Sequence, residues 1–141
     1  MNKIFGSCHC GNVKYEISGE LKFIAHDHCS ICRKISGGAY TTWCGVKSER
    51  EQFRLISGEN ELSTYHSSES GSRQFCKNCG SHLFFRSPKW KEEVHFTRAS
   101  IDEDLPSKPS AHVYYSDRAN WYDEGGKLPK FGGASGIKPL Q

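Results

Sequence analysis

The sequence predicts a mainly β domain made of short antiparallel strands, and three observations support this class. Several segments alternate apolar and polar residues with a period of two, as half-buried strands do. Glycine and serine separate these segments at short intervals, which suits the tight turns of antiparallel sheets. Helical periodicity is scarce along the chain.

The predicted strands follow one another closely. The first is the clearest, because Val13, Tyr15 and Ile17 are apolar and the residues between them are polar. Later segments rich in aromatic and β-branched residues predict further strands at 39–46, 53–57, 62–65, 81–86, 94–99 and 112–115. One short helix is predicted over residues 29–35, ended by Gly37 and Gly38.

The length of 141 residues fits one domain, which we expect over residues 1–124, followed by a loop-like tail rich in glycine and proline at 125–141. Lysine and arginine number 19 against 16 acidic residues, a formal charge of +3 without a concentrated basic run. This balance argues against nucleic acid as a partner. No apolar run reaches the length of a membrane span, and no apolar leader follows Met1, so we expect no membrane association and a cytoplasmic location.

Seven cysteines are the most informative feature of the composition. An odd number cannot pair fully within the chain, and disulfides are rare in the reducing compartment expected here. Six of the seven stand in close pairs: Cys8 with Cys10, Cys29 with Cys32, and Cys76 with Cys79. Closely paired reduced thiols are typical of metal ligands. The seventh, Cys44, lies alone in a predicted strand, where a cysteine usually acts as a small buried apolar residue.

Two of these pairs predict a closed structural zinc site. Such sites are commonly built from two closely spaced pairs, each of which aims two side chains at one point. Cys8 and Cys10 open the first predicted strand, and Cys76 and Cys79 are followed by Gly80, which suits a turn with positive φ. The alternative is a set of buried free thiols.

The third pair, Cys29 and Cys32, needs a further ligand, and His26, Asp27 and His28 are all able to supply it. Two thiolates with one oxygen or nitrogen ligand would leave zinc an exchangeable position, as catalytic zinc sites do. A redox pair or two reduced core thiols are the alternatives, although the βαβ setting of a thioredoxin-like motif is missing.

Three cysteine blocks resemble the glutathione-dependent formaldehyde-activating enzyme family, which includes the centromere protein V group. The blocks are GSCHCGNVKY at 6–15, HCSICRK at 28–34 and RQFCKNCGS at 73–81. The late segments HVYYSDRANW at 112–121 and LPKF at 128–131 are also similar to the family pattern. The resemblance covers most of the chain, from about residue 6 to residue 131.

The resemblance implies a beta-tent fold of antiparallel sheets around a structural zinc on Cys8, Cys10, Cys76 and Cys79. It also implies a second zinc, held by a C-x-C-x-x-C block whose first cysteine is replaced here by Asp27. The activity it implies is that of a carbon–sulfur lyase, which joins formaldehyde to the thiol of glutathione or reverses that reaction.

A catalytic mechanism can therefore be predicted from few residues. Asp27, Cys29 and Cys32 would hold the second zinc, and His112 is a candidate general acid or base, or else a structural histidine. Glutathione carries two carboxylates, for which the basic candidates are Arg33, Lys34 and Arg73. The alternative function is a non-catalytic zinc-binding module whose second metal site is degenerate.

Overall fold

The computed structural model describes residues 2–123 and 126–140, and β-strands dominate it. The strands are β1 (Lys3–Ser7), β2 (Lys14–Ser18), β3 (Phe23–Asp27), β4 (Thr41–Val46), β5 (Phe53–Ser57), β6 (Leu62–His66), β7 (Ser72–Cys76), β8 (His82–Arg86), β9 (Val94–Thr97), β10 (Ala111–Val113), β11 (Phe131–Gly132) and β12 (Lys138–Pro139). The α-helices are α1 (Ser30–Ser36) and α2 (Glu49–Gln52). Short 3-10 turns lie at Glu59–Glu61, Pro88–Trp90, Arg98–Ser100 and Tyr115–Asp117.

Two sheets form the body of the fold. The smaller has the order β1-β2-β5, and the larger has the order β10-β3-β4-β9-β8-β7-β6. Neighbouring strands of both sheets pair antiparallel, except that β10 runs parallel to β3. A separate pair, β11 with β12, lies in the C-terminal segment.

The hydrophobic core joins these two sheets. Tyr15 and Ile17 of β2 are fully buried, and the Tyr15 ring packs edge-on against Phe84 and Phe96 of the larger sheet. The Tyr15 hydroxyl also shares a hydrogen bond of 2.5 Å with Ser100 Oγ. Cys44 is fully buried in this core, as expected for a lone strand cysteine, and burial raises the pKa of its thiol to about 12.

The predicted class, mainly β with antiparallel sheets, is confirmed. The helix also occurs where the sequence predicts it, and Gly37 ends it in the left-handed conformation. Each predicted strand has a counterpart, although Ala99 and Tyr115 lie in 3-10 turns rather than in strands. The strands β1, β3 and β7, the helix α2 and the C-terminal pair were not predicted from the sequence.

The predicted boundary between residues 124 and 125 lies outside the described residues. In the ranges 2–123 and 126–140, none of the helices has the length and apolar character needed to cross a bilayer.

Candidate metal centres and cavity

The first candidate metal centre is the four-cysteine cluster of Cys8, Cys10, Cys76 and Cys79. Their four sulfur atoms all lie within 4.8 Å of one another. The Sγ of Cys10 is 3.5 Å from that of Cys8 and 3.7 Å from that of Cys76. Sulfurs bound tetrahedrally to zinc, each at about 2.3 Å, are separated by about 3.8 Å. The donor set and its spacing therefore fit a zinc ion with four protein ligands.

Tight turns bring each pair of this cluster to one point. Gly80 adopts φ +80°, and its amide donates to the Cys76 carbonyl oxygen at 2.7 Å, which closes the turn after β7. The amide of Val13 donates to Cys8 Sγ at 3.2 Å. A hydrogen bond from Ser81, whose Oγ is 3.2 Å from Cys79 Sγ, helps to lower the pKa of Cys79 to about 5. The contact at Cys79 favours the thiolate form that a metal needs.

The four-cysteine cluster also connects the two sheets. Cys8 and Cys10 lie between β1 and β2 of the smaller sheet, whereas Cys76 ends β7 of the larger sheet. A metal ion bound here would cross-link the sheets and contribute directly to folding.

The second candidate centre is the three-ligand cluster of Asp27, Cys29 and Cys32. One ligand atom from each lies within 4.8 Å of the others. Asp27 ends β3, Cys29 caps α1 at its N-terminus, and Cys32 lies in the first turn of that helix. The amide of Cys29 donates to Asp27 Oδ1 at 3.0 Å, and the amide of Cys32 donates to Cys29 Sγ at 3.1 Å. Both bonds orient the donor atoms before any metal binds.

A buried cation lies against the three-ligand cluster. Arg73 is 4% exposed, and its Nη1 and Nη2 lie 3.6 and 3.5 Å from Cys32 Sγ. Its Nε donates to Ser67 Oγ at 2.9 Å, and its guanidinium lies 4.9 Å from the centre of the Phe85 ring. A buried guanidinium requires a nearby negative charge, so Arg73 favours the thiolate form in this cluster.

The two thiols of this cluster titrate together. The hydrogen bond that they share lowers the pKa of Cys29 to about 6, and the same bond, with burial, raises the pKa of Cys32. Cys29 is therefore the thiol that loses its proton first.

The histidines near this cluster lie on the other face of the sheet, because side chains alternate along β3. His26 Nδ1 is 2.8 Å from Thr42 Oγ1, and His28 Nε2 is 2.8 Å from His112 Nδ1. Of the three possible third ligands, Asp27 is the one that joins the two cysteines. His112 pairs in register with His26 and is not among the residues that line the cavity described next, and its role as a general acid or base stays a prediction.

A cavity of about 580 Å³ opens over the three-ligand cluster. Asp27, Cys29 and Cys32 form part of its wall, and Trp43 and Phe85 are among its aromatic residues. Arg73 lines this cavity as well, so a role in binding a substrate carboxylate stays a prediction for it.

The other two basic candidates, Arg33 and Lys34, do not line the cavity. They lie further along α1, in its last turn.

Polar cavity residues that were not predicted from the sequence include Lys22, Glu93 and His95. The signal for His95 was available, since it is a polar residue between apolar Val94 and Phe96 on a strand and must face away from the core. Nothing in the sequence indicated which residues it would face.

The fold and the two clusters define a class of protein: a small, mainly antiparallel β-domain with one cysteine cluster joining its sheets and a second cluster in a cavity. A model of the family "Glutathione-dependent formaldehyde-activating enzyme" matches residues 3–117. The chain belongs to this family, which confirms the resemblance carried by its cysteine blocks.

Individual relatives agree with this membership. A Halomonas elongata protein named "Putative glutathione-dependent formaldehyde-activating enzyme" is 30% identical over 125 residues, covering 84% of this chain and 78% of its own. A Penicillium rubens protein with the same name is 29% identical over 131 residues, where this chain spans 57% of the relative. An uncharacterized lyase of Schizosaccharomyces pombe is 26% identical over 130 residues, covering 89% of this chain and 88% of its own.

A solved structure supports the fold. The crystal structure of a Rhodobacter sphaeroides protein superimposes with a TM-score of 0.63 at 21% identity, covering 78% of this chain and all of the other.

Proposed function

We propose that this protein joins the thiol of glutathione to formaldehyde, or reverses that reaction, at the three-ligand cluster. The observation that supports this most directly is the position of that cluster in the wall of the 580 Å³ cavity. Three protein ligands leave a tetrahedral zinc ion one position for a substrate. The four-cysteine cluster offers no such position, so we assign it a structural role.

The donor atoms of the three-ligand cluster suit zinc. Two thiolate sulfurs and one carboxylate oxygen are ligands that zinc accepts, and their charge of −3 leaves −1 once the ion has bound. Arg73 beside Cys32 balances that remaining charge. A zinc ion bound there would supply Lewis acidity, favouring a substrate thiolate and polarising an aldehyde oxygen.

The residues of the chain would position and shield the reactants. In the reaction a carbon–sulfur bond forms, the carbonyl π pair moves to oxygen, and the thiol proton ends on that oxygen. Asp27 and the helix amide of Cys32 hold Cys29 in place through the two hydrogen bonds described above. Trp43 and Phe85 exclude water from the cavity wall, which strengthens charged contacts within it.

Metal analysis combined with a rate measurement tests the proposal. The wild-type protein should bind two zinc ions, and Cys32→Ser should retain one ion and lose thiol–aldehyde condensation. Cys44→Ala is the matched control, since it removes a buried thiol that belongs to neither cluster, and it should keep both ions and the wild-type rate.

An unchanged condensation rate in Cys32→Ser would exclude the three-ligand cluster from the reaction. One tightly held ion in the wild-type protein, without condensation activity, would instead support the non-catalytic zinc module.

A further inference from the structure

The end of the cavity away from the three-ligand cluster carries an organised set of charged groups. Glu93 accepts from Lys22 Nζ at 2.5 Å through Oε2, and its Oε1 lies 3.0 Å from His95 Nε2. The side chains of Glu93 and His95 are 11% and 12% exposed, whereas that of Lys22 is 40% exposed. Glu93 therefore holds both Lys22 and His95 in place, and the more exposed Lys22 remains accessible to a ligand.

The strand register sets the distance between the two ends of the cavity. Phe23 of β3 pairs with Gly45 of β4, and Gly45 pairs with His95 of β9. Lys22, Glu93 and His95 therefore lie level with the start of β3. Asp27 is four residues further along the same strand, which is about 13 Å at about 3.3 Å per residue. A substrate must be elongated to occupy both ends at once.

Aromatic rings surround His95 at this end. The ring centroids of Phe23, Phe85 and Trp90 lie 4.9, 5.9 and 5.6 Å from that of His95. Glu93 and His95 are accordingly largely shielded from water, and an ionic contact is stronger where water is excluded.

The charges along the cavity are polarised. Lys22 and Lys89 outnumber Glu93 at this end, whereas Asp27 and Asp117 outnumber Arg73 at the other end, where the two cysteines lie. Lys22 Nζ has three donor hydrogens, of which Glu93 uses one in the described part of the chain. Lys22 can thus receive a further carboxylate without leaving Glu93.

We propose that Lys22, Glu93 and His95 form a subsite for a carboxylate at the non-reacting end of an elongated thiol, a role that rests on the proposed function. Lys22 Nζ donates to the carboxylate, and Glu93 holds Lys22 in place. An extended tripeptide spans about 10 Å, and the long side chain of Lys22 covers the remaining distance of about 3 Å, so a thiol of this size reaches from the three-ligand cluster to the subsite. Small thiols such as 2-mercaptoethanol cannot reach it, and the subsite thereby selects against them.

Calorimetric binding of S-methylglutathione tests the subsite apart from the reaction, because this probe has both carboxylates and no free thiol. Lys22→Gln should weaken binding about tenfold, the loss expected for one charge-assisted hydrogen bond. Glu93→Gln should also weaken binding, by less than Lys22→Gln, since Lys22 is then no longer held in place. If the ion pair had only a structural role, both variants would weaken the binding of the acid and of its diethyl ester alike.

Two controls complete the experiment. Lys14→Gln removes an exposed lysine of β2 outside the cavity and should leave binding unchanged. The diethyl ester of the probe has no carboxylate and should bind as weakly to the wild type as the acid binds to Lys22→Gln.

The proposal is overturned if the wild type does not bind the acid probe, if Lys22→Gln binds it normally, or if the ester binds as tightly as the acid. Cys32→Ser separates this result from the proposed function. If that variant binds the probe and also retains condensation activity, the proposed function fails and the subsite stands. If the probe does not bind but condensation still requires Cys32, the subsite fails alone.

Discussion

Replacement of Arg73 by methionine tests the charge balance of the three-ligand cluster. Methionine keeps much of the side-chain length and its packing against Phe85, but it removes the two N–H groups at 3.6 and 3.5 Å from Cys32 Sγ. We expect Arg73→Met to weaken metal binding at this cluster. The four-cysteine cluster, which Arg73 does not contact, should keep its affinity.

The expected size of the effect follows from the distance and the burial. Full unit charges on the Arg73 guanidinium and the Cys32 thiolate, about 4 Å apart, would attract each other by about 4 kcal/mol at an effective dielectric constant of about 20. A metal-bound thiolate shares its charge with the ion, so about half of this, about 2 kcal/mol, applies to the bound state, or about thirtyfold in metal affinity. The loss of an outer contact to a metal ligand typically costs about 10- to 100-fold, which agrees.

Competition with a chromophoric chelator measures both affinities, since the two sites release zinc at different chelator concentrations. Arg86→Met is the matched control: Arg86 also lies over aromatic rings of the sheet and bonds to Glu49, but it contacts neither cluster. It should leave zinc binding unchanged. Equal zinc affinity of Arg73→Met and the wild type at the weaker site would refute the argument.

Two further predictions concern Asp27 and His82. Asp27→Cys should hold the second zinc about tenfold more tightly in the same chelator competition, because thiolate is a softer ligand than carboxylate; an unchanged affinity would mean that Asp27 is not a ligand. Burial lowers the pKa of His82 to about 4, below its value near 6.5 in the unfolded chain. The unfolded state therefore binds more protons between these two values, and the free energy of unfolding decreases as the pH is lowered across that window. His82→Phe should remove this part of the dependence, about 2 kcal/mol between pH 7 and pH 5 in urea unfolding, and parallel pH profiles for the two proteins would contradict it.

Local sequence patterns predicted the strands in which polar residues alternate with apolar ones. β2 alternates visibly, and its apolar residues pack into the core. In β3 the sequence FIAHD does not alternate, because one face meets the core and the other lines the cavity. In β7 the buried residues are Arg73 and Cys76, so burial does not follow an apolar alternation, and the strand is held by hydrogen bonds to β6 and β8. Apolar periodicity has no means of detecting either strand.

The candidate site likewise contains residues that local sequence patterns predict and residues whose positions depend on strand pairing. The cysteine pairs were predictable because each pair is local, and the chain needs one turn to aim both sulfurs. His112 lies in a strand as predicted, but the face on which it lies depends on the pairing of β10 with β3, which the sequence does not indicate. Lys22 and His95 meet because β4 lies between β3 and β9, an arrangement that no local pattern records.

The placement of the two clusters separates the stability of the fold from the proposed activity. The four-cysteine cluster draws its ligands from both sheets, so a metal bound there stabilises the whole domain. The ligands of the three-ligand cluster come from one short segment, the end of β3 and the first turn of α1, which the hydrogen bonds between Asp27, Cys29 and Cys32 already hold in shape. A change of ligand in that segment alters the metal chemistry without disconnecting the sheets. This explains how the fold accommodates Asp27 where the family pattern has cysteine, and why loss of the second metal should cost activity before it costs stability.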